Sequence, residues 1–282
     1  MKAGYLKTAL DLVREGGKIA RKYLGKSGIT FKEDKSVLTK ADREISGLAR
    51  RHLAPYLKSP RHILLDEEDF KVRGYSNSKE VAQAPYLWSV DPIDGTRLYA
   101  NQIPLYGISI GLIKNKTPWL GAVYFPSLGE LYYCDGRQAY FVQNAFTANE
   151  TKRRIKPSGQ EIDSRSIFLC DDEFLRHYNW DYSDAQLMIS SCAVVDLCWP
   201  AVNRACGAVF CSHLWDLAGS WPIFRAAGLE LRAIKTGKVL KQLDVKAFQS
   251  NEKPWRANGF YILSTAKNFK ALKQKITLRR KN

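Results

Sequence analysis

Histidine is sparse in this chain, and its cysteines form no paired motif. The four histidines (His52, His62, His177 and His213) are scattered, and none of the six cysteines (Cys134, Cys170, Cys192, Cys198, Cys206 and Cys211) belongs to a CxxC pair. Zinc held by sulfur and imidazole is therefore not expected, and any metal should be oxygen-bound. With no cysteine framework, the thiols read as reduced and mostly buried. No apolar run approaches the roughly 20 residues that cross a bilayer. The opening Met1-Lys2-Ala3-Gly4-Tyr5-Leu6-Lys7 lacks the apolar core and cleavage site of a signal peptide. The expectation is a cytoplasmic protein with no membrane partner. Internal repeats and low-complexity segments are also missing.

What is present suits a globular chain. Its 282 residues, 45% of them hydrophobic, are enough to bury a sizeable core in one or two domains. The net charge of +16 biases the protein toward anionic ligands. No RNA-binding signature or basic run with interleaved aromatics accompanies that charge. The densest basic cluster, Lys273 to Lys281, reads as a solvated helix end, so nucleic acid is not the expected partner.

Periodicity divides the chain. Residues 5–24 carry apolar residues at helical spacing, weakened by Gly16-Gly17 and stopped at Gly25. A second helix follows Thr39, with Ala41, Ile45 and Leu48 on one face. From Tyr86 to Val142 the pattern becomes a series of strands punctuated by Asn115, Pro126-Ser127 and Asp135-Gly136, as in an antiparallel meander. The polar stretch Thr151 to Arg165 is the best boundary, dividing an N-terminal α+β part (residues 1–150) from a smaller C-terminal α/β part (residues 151–282). In the second part strands alternate with helices, including a buried helix over 192–202 and another over 215–227.

Acidic residues recur at the ends of these elements. Glu67 and Glu68 close one strand, Asp91 and Asp94 another, Asp216 opens a helix and Asp42 sits early in one. Singly, Asp42, Asp91 and Asp216 also read as helix N-caps, and Asp66 to Asp69 as surface charge. Gathered together, such carboxylates would repel unless cations lay among them. The run Asp91-Pro92-Ile93-Asp94-Gly95-Thr96 adds a Gly-Thr pair where a loop turns into a helix, a place suited to phosphate.

The ordered set is similar to the inositol monophosphatase superfamily of Mg²⁺-dependent, lithium-sensitive phosphatases. It comprises Lys32-x-Asp34-x-Ser36-x-x-Thr39-x-Ala41-Asp42, Glu67-Glu68, the Asp91 to Thr96 run and Trp215-Asp216. The strand block Gly107 to Ile113 and Gly121 to Pro126 is also similar, and the likeness spans roughly residues 5 to 270. It implies a layered α-β-α-β-α sandwich with an antiparallel N-terminal sheet. Two Mg²⁺ ions are implied, with a third, weaker site beside Asp42. Glu67, Asp91 and the carbonyl of Ile93 match the ligands of the first ion; Asp91, Asp94 and Asp216 match those of the second. Thr96, with Asp42 or Glu68, matches the group that orients and deprotonates the attacking water. Gly95 and Thr96 would donate backbone N–H groups to phosphate. Glu67, Ile93, Asp94 and Asp216 would also face the substrate through the metals. Ser191 and Cys192 match residues near the leaving group, although Ser191 also reads as a helix N-cap. The implied reaction is hydrolysis of a small phosphorylated metabolite by metal-activated water, in a homodimer.

Two positions and one segment depart from the patterns of the family's members. Inositol-phosphate enzymes place a glutamate seven residues before the last metal aspartate, where this chain has Val209. Valine accepts no hydroxyl hydrogen bond, which counts against inositol monophosphate. Phe210-Cys211-Ser212-His213-Leu214 lacks the basic segment of 3′(2′),5′-bisphosphate nucleotidases. Asp66 replaces a glycine before the glutamate pair. The alternatives are a nucleotidase or a histidinol-phosphate phosphatase of the same superfamily. A basic, nucleic-acid-binding or regulatory pseudophosphatase is the reading from another class.

Overall fold

A computed structural model describes residues 2–26, 28–31, 37–75, 79–248 and 253–279. In chain order the helices are α1 (Lys2–Tyr23), α2 (Lys40–Leu57), α3 (Lys79–Gln83), α4 (Thr96–Ala100), α5 (Asp172–His177), α6 (Ala193–Cys198), α7 (Leu214–Ala226) and α8 (Ala266–Gln274). The first strands are β1 (Ile29–Phe31), β2 (Val37–Thr39), β3 (His62–Asp66), β4 (Tyr86–Asp94), β5 (Gly107–Lys114), β6 (Thr117–Phe125), β7 (Glu130–Cys134), β8 (Ala139–Gln143) and β9 (Thr151–Arg154). Those that follow are β10 (Ser166–Cys170), β11 (Tyr178–Trp180), β12 (Ala185–Ile189), β13 (Gly207–Phe210), β14 (Glu230–Ala233), β15 (Tyr261–Ser264) and β16 (Ile276–Leu278).

Strands β3 to β9 form a seven-stranded sheet in sequence order, antiparallel except for the β3–β4 pair. Its last strand, β9, comes from the stretch read as a boundary. A five-stranded mixed sheet runs in the order β12-β10-β13-β15-β14. Alternation along the strands sorts their side chains into separate cores. Leu64, Trp88, Val90, Ile108, Ile110 and Leu112 pack with Leu12, Val13, Ile45 and Leu53 of α1 and α2. Their neighbours Leu65, Leu87 and Ile113 join Val195, Leu197, Leu217 and Trp221 of α6 and α7, and Leu169, Ala208 and Leu263 of the second sheet. The outer face of that sheet, with Phe168, Cys170, Val209 and Ile262, packs on Phe174 of α5 and Leu272 of α8. The result is the expected α-β-α-β-α layering.

The middle helix α7 is buried all round, and its approach to the first sheet depends on missing side chains. A Cβ at Gly111 or Gly121 would overlap the backbone of Ala218 or Gly219, and one at Gly219 would overlap the Ser109 hydroxyl. Backbone thus packs on backbone, and α7 holds its N-terminus near the end of β4.

The helix starts differ from the N-caps read in the sequence. Thr39 caps α2, and Asp42 sits three residues on as the partner in a capping box. His213 occupies the cap of α7, with Asp216 in the corresponding third position. Asp91 lies inside β4 and caps nothing. Cys192, not Ser191, precedes α6; Ser191 adopts a left-handed backbone with φ 55°. Helix α1 runs through Gly16-Gly17 and ends at Tyr23, just before the stop expected at Gly25.

Candidate active site

Asp91 and Asp94 are three residues apart, so a regular strand would send them to opposite faces. Strand β4 avoids this with a bulge. Asp91 pairs with Ser109 and Asp94 with Gly107, so three steps on β4 match two on β5. The extra residue turns the strand within Pro92-Ile93 and re-aims the second carboxylate. Gly95 then takes φ 80°, and α4 starts at Thr96. A side chain at Gly95 would be strained by that φ and would sit 2.9 Å from the Leu105 carbonyl oxygen.

Asp216 reaches the same place from α7. Carboxylate oxygens of Asp91, Asp94 and Asp216 lie within 4.8 Å of one another. Asp216 Oδ2 accepts the Ser212 hydroxyl and the His213 N–H (2.9 Å), which fixes its direction. Trp215 beside it is buried between Phe70 (5.0 Å) and His213 (4.5 Å, stacked), an anchor for the helix. Asp94 Oδ2 accepts the Val194 N–H (2.6 Å) and the Cys192 thiol (3.0 Å), tying α6 to the end of β4. Asp91 is buried, and its Oδ1 has no hydrogen-bond partner among the described residues.

Burial and mutual repulsion dominate the electrostatics. Burial first, then the charges of Glu67, Asp216 and Asp94, hold Asp91 well above the usual carboxylate range. Burial and Asp216 push Asp94 up to about 7, against the opposing Cys192 and Val194 hydrogen bonds. Asp216 is raised to about 6, chiefly by burial. Such a group retains protons unless another cation replaces them.

Glu67 belongs to this cluster through its charge on both Asp91 and Asp216. Its backbone N–H donates to the Val90 carbonyl (3.2 Å), which places it beside β4. The segment expected to be surface charge is partly interior: Asp66 is fully buried. Asp66 Oδ1 accepts the Ser46 hydroxyl (2.6 Å) and the Glu68 N–H (2.9 Å), so it shapes the turn carrying both glutamates. Asp42 is also fully buried, its Oδ2 accepting the Thr39 N–H (2.8 Å) and hydroxyl (2.5 Å). The Thr96 hydroxyl donates to the Ile93 carbonyl (2.8 Å). Lys32, Asp34 and Ser36 of the first motif lie outside the described residues.

A cleft of about 340 Å³ opens over the cluster. Glu67, Asp94, Gly95, Thr96, Ser191 and Cys192 line it together, while Asp91 and Asp216 lie buried beneath. Asp42, Glu68 and Ile93 are outside its lining. The cleft also contains residues the sequence reading passed over: Arg97, Asp171, Asp172 and Asp196. Two signals pointed to them. Asp196 is an acid inside a segment read as a buried helix, and Asp171 follows a strand end, as Asp91 and Glu67 do.

The chain matches the sequence profile of the Inositol monophosphatase family over residues 2–268. It belongs to the inositol monophosphatase family. It is 27% identical over 271 residues to inositol monophosphatase 1 of Solanum lycopersicum, covering 88% of this chain and 96% of that protein. To the histidinol-phosphatase of Chlorobaculum parvum it is 33% identical over 142 residues, 50% of this chain and 51% of that one. Its fold is similar to that of an IMPase/NADP phosphatase solved with Mg²⁺ and phosphate. The TM-score is 0.75 at 16% identity, covering 100% and 99% of the two chains. This inositol monophosphatase family member is a phosphomonoesterase, and its family is metal-dependent. No helix among its described residues is long and apolar enough to cross a membrane.

Proposed function

We propose that this phosphomonoesterase hydrolyses a small phosphorylated metabolite with Mg²⁺ held by Glu67, Asp91, Asp94 and Asp216. The unpartnered Oδ1 of buried Asp91, among carboxylates within 4.8 Å, carries the reading. The donors are all oxygen, as a hard divalent cation requires. Glu67, Asp91 and the Ile93 carbonyl would hold one ion, Asp91, Asp94 and Asp216 a second, and Asp42 a weaker third. Bound magnesium would lower the pKa of water and offset the charge on attacking and leaving oxygens.

The chain's own groups do the remaining work. Gly95 and Thr96 line the cleft at the start of α4, and their backbone N–H groups would bind the phosphate oxygens. The hydrogen bond from Thr96 steadies the Ile93 carbonyl. Asp42 and Glu68, each braced by its turn, would with Thr96 orient the attacking water and receive its proton. The water oxygen bonds to phosphorus as the ester oxygen leaves and is protonated, giving alcohol and inorganic phosphate. Ser191 and Cys192 would contact the leaving group. A nucleic-acid-binding role would leave the buried carboxylates uncompensated.

Phosphate release from a panel of phosphomonoesters by the full chain tests this reading. Release should appear with Mg²⁺ and stop with EDTA. Bound Mg²⁺ without turnover of any ester would overturn it.

The metal also sets a pH dependence. Asp94 and Asp216 have folded pKa values raised above the ordinary 3.8, to about 7 and about 6. The stability they contribute is complete below the unfolded value and is lost as pH rises through the raised ones. The metal-free protein should therefore melt lower at about pH 8 than at about pH 5. Mg²⁺ should raise the melting temperature most at the higher pH. Thermal melts with EDTA and with Mg²⁺ at both pH values check this; an equal Mg²⁺ shift at both would contradict it.

A further inference from the structure

We infer that a basic cavity between the β5–β6 turn and residues 233–247 binds a small organic polyphosphate, one with an apolar body and more than one negative charge. The cavity shares no lining residue with the catalytic cleft, and the inference does not depend on the phosphatase reading.

The cavity has a volume of about 720 Å³, against about 340 Å³ for the cleft, and lies in the size range of small-molecule sites. Two segments far apart in the chain build it. The Leu243 N–H donates to the Lys116 carbonyl (2.7 Å), which holds the β5–β6 turn against the segment after β14. Lys116, Lys238, Lys241 and Lys246 line the cavity, and their ammonium groups have no partner among the described residues. Asp244 is the one carboxylate in that lining, and its Oδ1 accepts the backbone N–H of Lys246 (3.1 Å) within its own turn. Four positive charges around one space repel one another unless an anion lies among them.

The floor beneath the lysines is apolar. Leu240, Leu243 and Ala247 are buried in the central core and line the cavity. Tyr261 is an independent sign of a ligand. It is 8% exposed and lines the same space, yet its hydroxyl makes no hydrogen bond among the described residues. A buried tyrosine hydroxyl ordinarily has a partner, so this one is a donor open to an occupant. Lysine is a compact point charge with three donors, suited to a phosphate group. No arginine among the described residues lines the cavity to grip a planar carboxylate with paired bonds. Phosphates among the lysines and an apolar body on the floor use every feature of the site.

Titration calorimetry of the full chain with ADP in EDTA tests this. Without Mg²⁺ the carboxylates of the cleft repel anions, so the titration reads the basic cavity. ADP should bind with a Kd of about 100 µM or tighter, more weakly as salt is added. Adenosine lacks the charges and pyrophosphate lacks the ring, so each should bind at least about tenfold more weakly. Lys238 and Lys246 are exposed. The double variant Lys238→Gln, Lys246→Gln should keep its melting temperature and raise the Kd for ADP by about tenfold. Tyr261→Phe keeps the ring and should weaken ADP by about threefold. No ADP binding at about 1 mM overturns the proposal. So does the same Kd in the natural protein and the lysine variant, or adenosine or pyrophosphate binding as tightly as ADP. An acidic peptide that binds more tightly than ADP also overturns it, since the cavity would then be a docking surface for a protein.

Discussion

Asp91→Asn is expected to lower kcat for Mg²⁺-supported phosphate release by about a thousandfold, roughly 4 kcal/mol at the transition state. The same substitution should raise the melting temperature of the metal-free protein at about pH 8. Both effects have one cause. Asp91 is 1% exposed and faces the charges of Glu67, Asp216 and Asp94. Its charge is costly there without a cation, and it is the carboxylate shared by both proposed metal positions. Asparagine keeps the shape and removes the charge. Steady-state kinetics and thermal melts with EDTA measure the pair. A kcat within about tenfold of the natural enzyme would remove Asp91 from the metal centre. A lower metal-free melting temperature would mean that the charge itself holds the fold together.

Gly121→Ala should destabilise the protein by about 3 kcal/mol, at the upper end for overpacking. The melting temperature should drop by about 6–12 °C for a chain of this size. The added methyl would overlap the Gly219 backbone, which has no flexible side chain to move aside. Because α7 also carries Asp216, the folded variant should bind Mg²⁺ more weakly. Gly159→Ala is the control, since a Cβ there meets nothing within 4 Å. Melts of both variants decide it. An alanine at 121 as harmless as one at 159 would show that α7 can slide on the sheet at little cost.

Much of the fold was legible because its signals are local. The apolar run before Asp66 and the strand pattern over residues 106–113 were readable from short-range composition, and the structure sends Leu64 and Leu65, and Leu112 and Ile113, to different cores. Glu67, Asp91, Asp94 and Asp216 were recognisable from order and spacing, and the last three converge. The helix starts were misread because a cap depends on which side chain turns back to the backbone. Thr39 with Asp42, and His213 with Asp216, place the acid three residues inside the helix. A carboxylate near a helix start looks the same in either role until the backbone is in place.

The surroundings of Asp66 and Asp196 were beyond such reading for another reason. Asp66 is explained by Ser46, twenty residues away on α2. Asp196 reaches the cleft because α6 is tied to Asp94 across 100 residues by the Val194 N–H. Sequence alone pointed to the reaction class, because its carboxylates, in a fixed order around a Gly-Thr turn, resemble those of the inositol monophosphatase superfamily. Tertiary structure decided how those groups face one another and what lines the rest of the cleft. The bulge at Pro92-Ile93, the bare glycines under α7 and the docking of α6 set those positions. Each works through contacts between residues distant in the chain, where short-range periodicity has no reach.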